Sequence, residues 1–171
     1  MVRRKLPGRP GFSAVFRPFP GRVPPGTAEG SYPGYQFATV DTLTYLKAAG
    51  RIKGTAAFFG NIMGVKPIFI SDRKGNNLTV NKVKGTKASL NELFEGIKNA
   101  FVPGETTEVF IGQGMAMERA EGLKKRIEEE LNLKATIQWI GPIVGTTCGP
   151  GVIATFCRGK EVTRYEGDNA K

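Results

Sequence analysis

The chain has 171 residues, with 25 Lys/Arg against 15 Asp/Glu, a net charge of +10 and no histidine. That length suffices for one domain with a real core, and apolar runs of about six residues are far short of a membrane span. Lack of histidine removes the commonest general base, the Ser/His and Cys/His nucleophile pairs and most imidazole metal sites, so no metal or cofactor is expected and catalysis is left only to carboxylates or lysines.

Two cysteines, Cys148 and Cys157, make neither a disulfide framework nor a zinc set. With no secretory pattern at the start, they fit a reduced, cytoplasmic protein. Residues 1–36 hold seven of the eleven prolines and six of the 23 glycines. Pro7, Pro10, Pro18, Pro20 and the Pro24-Pro25 pair interrupt any helix or central strand. This segment is expected to be a disordered basic extension. Residues 1–40 carry six Lys/Arg against Glu29 alone, so half the net charge sits in under a quarter of the chain. The Arg/aromatic run Phe16-Arg17-Pro18-Phe19 keeps a second reading open, an arm that binds nucleic acid or an acidic surface.

From Phe37 the texture changes to regular elements. Phe37–Val40 reads as a short strand, and Asp41 as the N-cap of a helix over 42–49 stopped by Gly50. A basic turn, Arg51-Ile52-Lys53-Gly54, leads to a second helix over 55–63. Val65–Ile70 reads as a strand, 72–77 as a polar turn, and the alternation from Leu78 to Val83 as its antiparallel return. Thr86 is placed as the cap of a helix to Ala100, with Leu90, Leu93, Phe94 and Ile97 at helical spacing. A strand over 106–111 precedes the clearest helix, Met115–Leu131, whose stripe is Ala116, Ala120, Leu123, Ile127 and Leu131. Ala135–Ile140 and Val152–Cys157 read as strands flanking one loop, and 161–171 as a polar tail. The order predicts an α+β fold, a two-layer sandwich with a mixed, largely antiparallel sheet covered by helices.

The loop between the last strands, Gly141-Pro-Ile-Val-Gly-Thr-Thr-Cys-Gly-Pro-Gly151, holds four glycines, two prolines and two threonines. It contains no phosphate-loop or nucleophile-elbow spacing. Its hydroxyls and successive backbone N–H groups suit an anionic head group, although such stretches also simply turn corners.

Four pieces in order carry a resemblance: the run Asp41–Ile52, Val65-Lys-Pro-Ile68, Lys82-Val-Lys-Gly85 and Ile140–Gly151. Together, over about 37–160, they resemble the C-terminal domain of the DegV family of bacterial fatty-acid-binding proteins. The resemblance implies non-enzymatic binding of a long-chain fatty acid, with some members presenting the acid to a separate fatty acid kinase. It implies ligand contacts at Arg51, Gly145, Thr146, Thr147, Gly149 and Gly151. The apolar residues Phe58, Phe59, Ile62, Met63, Ile68 and Ile70 are concentrated enough to line an acyl tunnel, although for most of them taken singly plain core is the better reading. Thr147 stands where the family usually has a histidine, Gly112-Gln-Gly114 where many members have another, and Lys84 where an arginine is usual. The family's N-terminal domain is expected to be absent, which makes the chain resemble a truncated member with half a site.

Overall fold

The computed structural model of the protein describes residues 34–51, 64–71 and 77–159. Six strands form one sheet: β1 (Gly34–Thr39), β2 (Val65–Ser71), β3 (Asn77–Lys84), β4 (Glu108–Gly114), β5 (Lys134–Trp139) and β6 (Val152–Arg158). Their order is β3-β2-β1-β6-β4-β5. All neighbours pair antiparallel except β4 and β5, which run parallel and are joined through a helix. The fold is therefore α+β with a mixed, largely antiparallel sheet, as its sequence order requires. The helices are α1 (Thr44–Ala48), α2 (Thr86–Ala100), α3 (Met117–Leu131) and α4 (Pro142–Cys148).

The main core lies where α2 and α3 cover one face of the sheet. Leu93, Phe94 and Ile97 of α2 and Ala120, Leu123 and Ile127 of α3 pack on Ile68, Val109, Ile111 and Ile153. Each such aliphatic or aromatic side chain contributes roughly 1.5–3 kcal/mol when fully buried. The Arg126 guanidinium of α3 stacks 3.6 Å above the Phe94 ring and donates to Asn91, fastening the two helices. A smaller cluster uses the strand residues that alternate the other way: Phe69 and Val152, with Val40 just past the end of β1, join Leu46 of α1 and Val144 and Cys148 of α4. Phe69 sits between Ile68 and Ile70, and Val152 beside Ile153, so α1 and α4 occupy the side of the sheet opposite α2 and α3.

Several boundaries differ from the sequence reading. β1 begins at Gly34, so Gly34, Tyr35 and Gln36 belong to the sheet and not to the extension. Tyr35 and Phe37 stack at 5.6 Å and pack on the main core, which extends the strand towards its start. Asp41 is not a cap: α1 starts at Thr44 behind Leu43, and the Thr42 hydroxyl accepts the Thr44 N–H instead. Thr86 is the first residue of α2, preceded by Gly85 at φ +84°. The expected helix over 55–63, residues 72–76 of the polar turn and the tail from 160 lie outside the described residues.

Candidate functional site

The glycine-rich stretch is not an open loop. Residues 142–148 form α4, because Pro142 at the first position has its φ preset and lacks an N–H that would go unpaired there. Val144 and Cys148, four residues apart, fall on one side and bury against Leu46 and Val152. Gly149, at φ +79°, ends the helix. The threonine hydroxyls turn inward: Thr146 Oγ1 donates to the carbonyls of Pro142 (2.9 Å) and Ile143 (3.1 Å), and Thr147 Oγ1 to that of Ile143 (2.8 Å). Each proton is thus engaged by the helix, and a carboxylate gains a Thr donor only when a hydroxyl swings away from its helix carbonyl.

Gly149 and Gly151 are required by close approach. A Cβ on Gly149 would overlap the Tyr45 ring of α1, and one on Gly151 would overlap the Asp41 carboxylate. The Gly151 N–H also donates to Gly114 O at 2.7 Å, tying the turn before β6 to the end of β4. Gly145 lies within α4 and donates its N–H to Gly141 O. Arg51 follows α1, the helix that packs on α4, and its N–H closes on Leu46 O. Its side chain is exposed and makes no ion pair among the described residues. Arg51, Gly145, Thr146, Thr147, Gly149 and Gly151 therefore belong to two elements that touch, α1 with its exit turn and α4 with its own.

Beneath that turn lies a group the sequence reading missed. Asp41 accepts both Arg119 guanidinium nitrogens, Nη1 on Oδ1 and Nη2 on Oδ2, each at 2.9 Å. Lys66 Nζ donates to the same Oδ1 at 2.5 Å and to the Asp41 carbonyl at 3.1 Å. Burial pushes the Asp41 carboxyl up, but the bonds from Arg119 and Lys66, with their charges, outweigh it and hold the group below its ordinary value. The bonds from Asp41 raise Arg119 further against the opposing effect of burial. A signal for the cluster existed: Arg119 is third in α3, where a cation opposes the helix dipole and so needs a nearby anion.

The acyl-lining residues divide. Phe58, Phe59, Ile62 and Met63 lie outside the described residues. Ile68 and Ile70 project to the α2 side, into a groove of about 350 Å³ whose walls include Tyr35, Phe37, Val80 and Gly96. Glu92 and Glu95 also line it, with Glu92 accepting from Asn81 Nδ2 at 3.0 Å. Phe69, between those isoleucines, points to the α4 side.

Burial alone pushes the Cys148 thiol up to about 12 and Cys157 to about 11, which leaves neither with thiolate character near neutrality. Gln113, in the Gly112-Gln-Gly114 stretch, is fully buried. Its Oε1 accepts the Ala116 N–H at 2.9 Å at the start of α3, and its Nε2 has no partner among the described residues. Among the described residues, no helix is long and apolar enough to cross a membrane and no metal-binding group of His, Cys, Asp or Glu forms.

A mixed six-stranded sheet with α1 and α4 on one side and two long helices on the other, together with the run from Asp41 to Gly151, defines a DegV-type domain. The family model described as "Uncharacterised protein, DegV family" matches residues 35–160, and the chain belongs to that family. A DegV domain-containing protein of Clostridium perfringens is 35% identical over 124 residues, 72% of this chain and 43% of its own length. The solved fatty acid binding DegV family protein of Streptococcus agalactiae is 27% identical with a TM-score of 0.66, covering 75% of this chain and 46% of that one. The fatty acid kinase B3 protein of Streptococcus pneumoniae, solved loaded with linoleic acid, shares the fold. Its TM-score is 0.65 at 12% identity, over 74% of this chain and 45% of that one. The chain thus spans a little under half the length of these relatives.

Proposed function

We propose that the domain binds a long-chain fatty acid without transforming it. The observation that carries the reading is the likeness to the fatty acid binding protein of Streptococcus agalactiae, in sequence as well as in fold. An acyl chain offers about 0.8 kcal/mol per buried methylene, so apolar burial drives the affinity and the head group sets orientation.

Electrostatics favours one side of the sheet for the ligand. The groove on the α2 side carries Glu92 and Glu95, and a fatty acid carboxylate entering there meets like charge. The α4 side has Arg51 in the exit turn of α1, with Phe69, Val40 and Val152 packed beneath α1 and α4, while Lys66 of β2 and Arg119 of α3 gather on Asp41 behind Gly151 at the turn before β6. The carboxylate is assigned to the Thr146-Thr147 end of α4, with Arg51, Gly145, Gly149 and Gly151 framing it. Phe58, Phe59, Ile62 and Met63 remain candidates for the acyl wall, and Ile68 and Ile70 support the sheet from its other face. Buried, high-pKa thiols and the absence of histidine fit binding more readily than catalysis. Handing the acid to a fatty acid kinase is part of the same proposal.

Titrating delipidated full chain with a long-chain fatty acid, followed by the fluorescence of the single tryptophan, Trp139, or by calorimetry, tests the reading. Saturable binding that weakens in the Thr146→Val/Thr147→Val variant is expected. Absence of saturable binding by the wild-type chain overturns it.

A further inference from the structure

We infer that the Lys66–Arg119 pair, neutralised only in part by Asp41, gives the site its preference for an anionic head group; this rests on the fatty-acid reading. The role had fallen to Arg51 in the sequence, but Arg51 is exposed, and a solvated cation acts weakly beyond a Debye length of about 8 Å. The cluster differs in three ways.

First, it holds two cations and one carboxylate, a fixed net charge of +1, with each cation in direct contact with the carboxylate. Second, its cations are sheltered: side-chain exposure is 12% for Lys66 and 27% for Arg119, so their field is screened less than that of a surface pair. Third, Arg119 lies in the first turn of the fifteen-residue α3, whose unpaired N–H groups add positive potential at the same place. Glu118 is the acid in that turn, and it is exposed.

The position matters as much as the charge. The Asp41 carboxylate backs directly onto Gly151, where a Cβ would collide with it. Gly151 is one of the proposed head-group residues, so the cluster adjoins that end of the site through its carboxylate, with the two cations behind it, and acts on a ligand through its field and not by contact. Asp41 consequently has two effects of opposite sign. It fixes the cations in place, and it subtracts one unit from the potential they present.

That opposition supplies the test. Affinities of the delipidated 171-residue chain for a long-chain fatty acid and for the alcohol of the same length are compared at low and high salt. Arg119→Gln and Lys66→Met should each weaken acid binding on the order of five-fold, the effect of one charge within about a Debye length. Asp41→Asn should tighten acid binding by a similar factor, even though it loosens the fold. Alcohol affinity should hold steady throughout, and high salt should shrink the differences. If acid and alcohol shift together in all three variants, the cluster is a strut alone and the inference is wrong. Wild-type protein that binds neither ligand would instead overturn the fatty-acid reading on which the inference stands.

Discussion

Replacing Gly151 with alanine probes the packing under the candidate site in a way that separates two costs. Gly151 has φ +86°, and Gly104, in the turn after α2, has φ +83°. An alanine at either position adopts a left-handed backbone at a cost of roughly 1–2 kcal/mol. At Gly104 nothing lies within 4 Å of the added Cβ, so that is the whole penalty. At Gly151 the Cβ meets the Asp41 carboxylate, which must leave its paired bonds to Arg119 and its bond to Lys66. Losing charge-assisted bonds of this kind costs about 1.5–3 kcal/mol more. Urea unfolding at neutral pH should therefore find Gly151→Ala destabilised by about 2.5–5 kcal/mol and Gly104→Ala by only about 1–2 kcal/mol. In an Asp41→Ala background, the cost of Gly151→Ala should fall by the part the carboxylate carries, leaving only the 2.8 Å approach to the Cβ of residue 41 above the Gly104 level. Equal costs for the two single variants, or no relief in the double variant, would refute the account of Gly151.

Three further outcomes follow from the packing and the charges. Gly96→Ala gains about 1 kcal/mol of helix propensity, but its Cβ falls 2.5–2.7 Å from the Phe37 ring, so a net loss of roughly 1–2 kcal/mol is expected. Phe37→Leu in the same chain should recover part of that loss. The Asp41 carboxyl is held below its unfolded value, so its contribution is complete above the ordinary Asp range and disappears as pH falls through the lower folded value. The stability gap between wild type and Asp41→Asn, measured by urea unfolding from neutral to acid pH, should close only below about pH 4, near the unfolded Asp value. A gap independent of pH would remove Asp41 from the acid limb. Native protein should react with a thiol reagent far more slowly than denatured protein at mildly alkaline pH, since burial pushes Cys148 and Cys157 to about 12 and 11. Prompt reaction of either thiol in the folded state would contradict that burial.

The long elements were legible because burial writes itself as periodicity. The stripes of α2 and α3 name the residues that fill the main core, from Leu93 and Phe94 to Leu123 and Ile127. The hairpin of β2 and β3 and the mixed character of the sheet followed from element order, whereas the pairing of β4 with β5 in parallel was fixed only by the fold. α4 was hidden because a seven-residue helix has little stability of its own, and the burial of Val144 and Cys148 depends on partners distant in the chain. Its glycines and prolines read as loop, while the same residues serve as a helix start, a helix stop and two points of close contact. Asp41 was misassigned for a related reason. A lone Asp before an apolar run resembles a cap, but its partners lie 25 and 78 residues away, beyond any local pattern. Which side of the sheet each isoleucine faces was likewise settled by register, and so Ile68 and Ile70 part company with α4 while Phe69 joins it.

The central claim is that this domain holds a long-chain fatty acid, and native mass spectrometry of the purified full chain addresses it directly. The account predicts a population heavier than the 18.5 kDa chain by the mass of one long-chain fatty acid, lost on delipidation and restored when the acid is added back. A single unliganded species before delipidation, unchanged after incubation with excess acid, would contradict it.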